Sequence, residues 1–185
     1  MATIDSVIQR APIQYTLYMY INRTSNSVFQ QYDERIQTHN FNVINNEYAD
    51  SGFDILVPKE HELVPFEANK IDFNIKCEMV KIVNNTTTPS AFYLYPRSSI
   101  SKTKFRLANN VGIIDSGYRG NLIGMFDVLY SNMPVKCEKG TRLLQICTPT
   151  LESFKIVMVE SDNDLSTTIR GSGGLGSTGL TSFDV

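Results

Sequence analysis

Cysteine is scarce in this chain and poorly spaced for cross-linking. Cys77, Cys137 and Cys147 are odd in number and show no Cys-x-x-Cys spacing, which argues against a disulfide framework and a zinc knuckle. Histidine is scarcer still. Catalysis built on a His–Ser or His–Cys pair, or on a His-rich metal cluster, would have to use His39 or His61, and neither lies in or beside the candidate stretches described below. Excess charge of either sign is also missing. With 17 basic against 19 acidic residues and a net charge of -2, no electrostatic footprint for polymeric nucleic acid is visible, so any phosphate bound is expected to be small. No basic start leads into an apolar run, and no stretch approaches the roughly 18 apolar residues that a membrane helix needs. The expectation is a soluble intracellular protein, cytoplasmic or, for a viral source, in the host cell or its nucleus, with neither a nucleic-acid polymer nor a membrane as partner.

What is present is a β pattern. At 185 residues the chain suits one domain with its own core. Residues 13–21 are aromatic and β-branched, an opening strand. Residues 22–50 are polar and rich in Asn and Gln, with a weak helical pattern over 28–36; they fit a surface insertion, and no function attaches to them. From Gly52 onward the β pattern holds over 53–57, 73–80, 92–95, 122–130, 143–147 and 154–159, with a Lys139-Gly140 turn between. Short strands at roughly 8 to 12 residue spacing predict an all-β, antiparallel sandwich or jelly-roll-like barrel. At most short helices are expected, one of them over 98–105 with serine as its cap. The domain spans 1–169 in this reading, and residues 170–185 form a glycine-rich arm.

Two stretches concentrate chemistry. Residues 112–120 read Gly-Ile-Ile-Asp-Ser-Gly-Tyr-Arg-Gly. An apolar pair delivers Asp115, a Ser-Gly turn follows, then Tyr118 and Arg119, so a strand end can aim a carboxylate, a ring and a guanidinium at one point. The plain alternative is a surface turn with a stray acid and a half-buried ring. Residues 171–179 hold five glycines, with Arg170 at their head and Ser177-Thr178 inside. Such a run is either a disordered terminus or a backbone able to wrap a phosphate chain. It is not a Walker loop, because Ser177 stands where the lysine is needed.

Three further stretches complete an ordered set over residues 49–179: Ala49-Asp50-Ser51-Gly52-Phe53-Asp54, Pro96-Arg97-Ser98-Ser99 and Gly140-Thr141-Arg142-Leu143-Leu144-Gln145. With the other two they resemble the five motifs of the trimeric, all-β dUTP pyrophosphatases (dUTPases). The resemblance implies hydrolysis of dUTP to dUMP and pyrophosphate by in-line attack of water on the α-phosphorus, with Mg²⁺ on the triphosphate. It also implies a homotrimer with shared sites, the third motif coming from one neighbour and the fifth from another.

Within that resemblance Asp115 matches the residue that orients and deprotonates the water. Arg97, Ser98 and Ser99 resemble the phosphate-binding turn, Gln145 the α-phosphate and water contact, and Arg170 with Ser177 and Thr178 the γ-phosphate clamp. Asp54 matches an acid that holds Mg²⁺ through its water shell; without the family match the favoured reading is a strand-edge acid facing solvent. Tyr118 matches the ring under the deoxyribose. Residues 107–111 take the place of the uracil hairpin, with Asn109 holding a turn that is also ordinary hairpin chemistry. Gly112 and Gly174 complete the substrate-binding set. Two positions depart from the family. Leu175 replaces a phenylalanine that stacks on uracil, which predicts weaker binding, and Thr141 replaces an acid at a turn. A dCTP deaminase of the same fold would need a glutamate where Met125 stands. A catalytically silent trimeric scaffold is the other alternative; Asp54, Arg97, Asp115, Tyr118 and Arg170 argue against it.

Overall fold

Alternation of side chains writes the first strand. Tyr15, Leu17, Met19 and Ile21 are buried while Thr16, Tyr18 and Tyr20 are only partly covered, the two-residue period of a strand with one face on the core. The computed structural model describes residues 14–24 and 26–174. Among them lie β1 (Gln14–Ile21), α1 (Gln30–Asn45), β2 (Gly52–Ile55), β3 (His61–Leu63), β4 (Asn69–Asp72), β5 (Ile75–Val83), β6 (Thr86–Ser90) and β7 (Phe92–Pro96). After them come β8 (Phe105–Leu107), β9 (Gly112–Ile114), β10 (Ile123–Val128), β11 (Val135–Cys137), β12 (Leu144–Cys147) and β13 (Phe154–Val159). The strands form two four-stranded sheets, β13-β1-β5-β6 and β2-β12-β7-β9, a three-stranded sheet β4-β10-β8 and a pair β11-β3. Phe73, Phe92, Phe126 and Phe154 are fully buried within one continuous core, each side chain contributing about 1.5–3 kcal/mol by leaving water.

The all-β class is as expected, with two differences. β1 and β13 pair in parallel, Tyr15 opposite Phe154 through Tyr20 opposite Val159. The helix is also longer than a weak pattern over 28–36 suggests, running 16 residues. Its apolar stripe is narrow, only Tyr32 and Ile36 being buried, so hydrophobic periodicity understates it. Hydrogen bonds hold it instead. β13 is a sheet edge, and Asn40 satisfies both backbone groups of Ile156, donating from Nδ2 and accepting at Oδ1, each at 2.8 Å. His39 Nε2–H donates to the Phe154 carbonyl at 2.8 Å, and Tyr32 Oη accepts from Leu56 N–H at 2.7 Å. The helix thereby covers an edge that is otherwise open to pairing. Among the described residues no helix is long and apolar enough to cross a membrane.

Two local expectations are corrected. The short helix is a 3₁₀ turn over Ser98–Lys102 with Arg97, not a serine, at its cap position and no side-chain cap; it stops early because Phe105 opens β8. Residues 107–111 do not close a hairpin of mutually paired strands. β8 pairs with β10 and β9 with β7, so the turn bridges two sheets. Its left-handed residue is Asn110, at φ 59°, a conformation asparagine tolerates, while the Asn109 carbonyl accepts from Val111 N–H at 2.6 Å.

Register places the chemistry. On β12, Gln145 lies opposite Asp54 of β2 and Tyr95 of β7, and Arg97 follows β7 with its N–H on the Leu143 carbonyl at 2.9 Å. At the other end of β7, Phe92 lies opposite Ile114 of β9, and Asp115 comes next. Arg97 and Asp115 therefore sit at opposite ends of one strand, about 20 Å apart along it.

Candidate active site

Strands β2, β7 and β12 and helix α1 bound an open cleft of ≈ 1040 Å³. Asp54, with a side chain 16% exposed, meets three guanidinium groups there. Arg97 Nε lies 2.7 Å from Oδ1, while Arg142 Nη1 at 3.3 Å and Arg35 Nη2 at 3.7 Å share Oδ2. Arg97 also donates from Nη1 to Ser99 Oγ at 2.9 Å. Gln145 Nε2 donates to the Pro96 carbonyl at 3.4 Å, and its amide lies where a Cβ on residue 52 would stand, so a side chain there would displace Gln145 from this position. Ser98 is exposed on the lining. At Asp54 itself one carboxylate meets three guanidiniums, while Glu34 and Asp50 also line the cleft and balance its overall charge. Such a cluster suits the oxygens of a phosphate chain.

The second group gathers at the end of β9. Tyr118 N–H closes a turn on the Asp115 carbonyl at 2.9 Å, and the Asp115 carboxylate pairs with the Arg170 guanidinium, both side chains nearly half exposed. Tyr118 Oη donates to the Asn121 carbonyl at 2.8 Å. Burial, and then Asp72, push its phenol above the usual range against the pull of Arg170, so it stays protonated. Gly174 lies on that ring: a Cβ there would stand 2.9 Å from Tyr118 Cε2. The start of the arm is stitched to the same turn. Thr168 Oγ1 donates to the Gly117 carbonyl at 2.5 Å and accepts from Gly171 N–H at 3.0 Å, and Arg119 N–H donates to the Gly171 carbonyl at 2.7 Å.

Arg119 itself does not join Asp115 and Tyr118 at a common point. Its Nη2 lies 3.1 Å from Glu78 Oε1 and donates to Ser166 Oγ at 2.9 Å, and Nη1 donates to the carbonyls of Ser116 and Tyr118, each at 2.9 Å. Glu78 also accepts from Ser166 N–H at 2.8 Å and Ser166 Oγ–H at 2.6 Å. A carboxylate only 10% exposed needs a partner, and it captures the nearest guanidinium.

The predicted residues thus fall into two groups. Asp54, Arg97, Ser98 and Gln145 line the cleft, with Ser99 held beside them by Arg97; Asp115, Tyr118, Arg170 and Gly174 meet at the turn, and among the described residues none of these lines the cleft. Gly112 sits in β9, where a Cβ would come 3.1 Å from Leu94 Cβ, and Asn109 lies in the bridging turn. Leu175, Ser177 and Thr178 lie outside the described residues. The third and fifth motifs, expected from different subunits, touch here within one chain through Arg170 and Asp115.

Arg142, Arg35 and Glu78 were not among the sequence candidates. Arg142 stood inside the fourth motif, Arg35 sits at helical spacing from buried Tyr32, and Glu78 breaks the alternation of β5, with buried neighbours on both sides. His39 also lies on the cleft wall, although sequence placed it away from the site. Its ring packs edge-on against Phe53 and is tied to Phe154. Burial lowers its pKa, opposed by the Phe154 hydrogen bond and Asp50, so it is a neutral structural group.

Among the described residues no cluster of three His, Cys, Asp or Glu could hold a metal ion, and both Asp54 oxygens face guanidiniums. With both oxygens so engaged, Asp54 could meet a cation such as Mg²⁺ only through the ion's waters and in competition with these guanidiniums.

Residues 39–179 match the family model described as dUTPase. A deoxyuridine 5'-triphosphate nucleotidohydrolase of Gloeothece citriformis is 34% identical over 135 residues, 72% of this chain and 85% of the relative. The protein of the same name from Clostridium novyi is 32% identical over 134 residues, 71% of this chain and 86% of the relative. The crystal structure of dUTPase from Streptococcus mutans aligns with a TM-score of 0.46 and 19% identity over 63% of this chain and 87% of that one.

Proposed function

The chain belongs to the dUTPase family, and from that membership we propose that it hydrolyses dUTP to dUMP and pyrophosphate at a site assembled between copies of itself. The observation that carries the shared site is the division described above: phosphate-facing cations at one end of β7 and the acidic turn at the other. A nucleotide seated in the Arg97–Gln145 cleft meets Asp115 most directly from a neighbouring subunit, which supports a homotrimer with shared sites. The contact between Asp115 and Arg170 within one chain favours the turn and the arm root arriving as one unit.

In this reading Asp115 orients a water and takes its proton as the oxygen attacks the α-phosphorus. The bond to the bridging oxygen breaks, and pyrophosphate leaves. Gln145 donates to an α-phosphate oxygen, and Arg97 with Ser98 and Ser99 holds the outer phosphates; Mg²⁺, if carried on the triphosphate, would supply charge neutralisation, and Asp54 is the residue that would meet its water shell. Arg170 leaves Asp115 for the triphosphate oxygens, and Ser177 and Thr178 join it. Tyr118, its phenol tied to Asn121, offers its ring to the deoxyribose, and the turn around Asn109 offers backbone groups to uracil.

Magnitudes divide the labour. A general base supplies about 10²–10⁴-fold, against roughly 10⁶–10¹⁷-fold for enzymes as a class. Preorganised donors, each worth about 3–4 kcal/mol at best, supply the rest. An intracellular setting suits the thiols: all three are free and buried, and burial pushes Cys137 and Cys147 up to about 11.

A nucleotide panel assayed for pyrophosphate and ammonia together tests the reading. Pyrophosphate from dUTP with Mg²⁺, and far less from dCTP, dTTP or UTP, is the expected result. Ammonia from dCTP, or no turnover on any nucleotide, would overturn it.

A further inference from the structure

Helix α1 starts ahead of the family-matched stretch, which opens at residue 39, yet it forms a wall of the phosphate cleft through Glu34, Arg35 and Thr38. Arg35 is the residue that engages the phosphate-facing cluster. Its Nη2 lies 3.7 Å from Asp54 Oδ2 and 3.5 Å from the Asp54 carbonyl, and its guanidinium carbon stands 5.8 Å from the Phe53 ring centre. Its Nε is buried and has no hydrogen-bond partner among the described residues. Stability alone does not account for this arrangement, since a buried donor left unsatisfied is destabilising and a packing helix does not require a cation there.

The arrangement does account for how Asp54 is held. Arg97 fixes Oδ1 at 2.7 Å, whereas Oδ2 has only the longer contacts with Arg142, 47% exposed, and Arg35, 29% exposed. Of these two, Arg35 is the better anchored, because α1 is fastened by Tyr32 to Leu56 and by Asn40 to β13. Without it Oδ2 is left to Arg142 alone, the more exposed of the two, so the carboxylate is held less firmly about its bond to Arg97, and the direction of the Arg97 fork goes with it.

We propose that α1 is part of the nucleotide site and that Arg35 is a positioning residue for its phosphate end, holding Asp54 so that Arg97 and Arg142 face the leaving pyrophosphate. The inference rests on dUTP placing its phosphates in this cleft.

The test is product inhibition of dUTP hydrolysis by the full-length chain, with inorganic pyrophosphate and dUMP as separate probes. Arg35→Gln is expected to raise the pyrophosphate inhibition constant and the KM for dUTP about tenfold, the loss of one charged hydrogen-bonding group. Its kcat and its dUMP inhibition constant should change by less than about twofold. Arg35→Lys keeps the charge without the planar fork and should recover part of the pyrophosphate effect. If Arg35→Gln fails to fold, the selective rise for pyrophosphate is read from Arg35→Lys against wild type. Equal weakening toward both products, or no change in either, overturns the proposal while wild-type turnover of dUTP leaves the functional reading standing. Absence of wild-type turnover overturns both.

Discussion

The cleft and the turn are built to different standards of rigidity. Asp54 and Gln145 sit on paired strands, Asp54 is 16% exposed, and Arg97 is fixed by a short ion pair and by its N–H on Leu143. Asp115 sits past the end of a three-residue strand, 47% exposed, its carboxylate occupied by an arm that is itself 44% exposed at Arg170. The difference separates two tasks. In the proposed reading the phosphate chain meets donors already in place, which need no rearrangement, whereas the acid proposed to meet water is more exposed and has to give up Arg170 first. Between them, Glu78 and Arg119 fasten the turn and the arm root to β5.

The sharpest way to break the comparison is Asp115→Asn. It should lower kcat about 10²–10⁴-fold while dUTP binding, followed by calorimetry, persists; lost binding would mean that the turn also holds the phosphates. Next is Glu78→Ala, which leaves Arg119 without its buried partner and is expected to destabilise the fold by about 3–5 kcal/mol. Urea unfolding measures this, and a loss under about 1 kcal/mol would show that the fastening is not buried in solution. Truncation after Ile169 removes Arg170 and should reduce turnover about 10²-fold with the fold retained and only a small drop in the unfolding midpoint; an unaltered rate would place the arm outside the chemistry. The smallest effect concerns pH. Burial lowers the His39 pKa, so the unfolded chain binds its proton first and stability falls as pH drops through the ordinary imidazole range. His39→Gln should flatten that part of the stability profile, and an unchanged slope would assign it to other groups.

Much of this comparison is legible in sequence, unevenly. The cleft residues are, through the motifs that Asp54, Arg97 and Gln145 share with the family; without that match Asp54 reads as a strand-edge acid facing solvent. Asp115 and Tyr118 are too, since a Ser-Gly turn forces them to a strand end. Helix α1 is only in part: the weak pattern over 28–36 marks its start, but beyond Ile36 side-chain amides and an imidazole bonded to an edge strand leave no hydrophobic period. The parallel pairing of β1 with β13 joins distant segments without a local turn to announce it. The direction of Arg119 is decided by Glu78 on another strand, and its place beside Asp115 and Tyr118 in sequence points the wrong way. Arg35 combines both difficulties, since its partner and its helix are set by tertiary contacts.

Subunit mixing tests the division most directly. Asp115→Asn chains lack the acid and Arg97→Gln chains lack the phosphate anchor, so each alone should turn over dUTP very slowly. If one copy's turn serves another copy's cleft, unfolding the two together and refolding them as a 1:1 mixture should restore activity in roughly a quarter of the sites. A mixture no more active than its two components would contradict the account, because each chain would then be using its own turn with its own cleft.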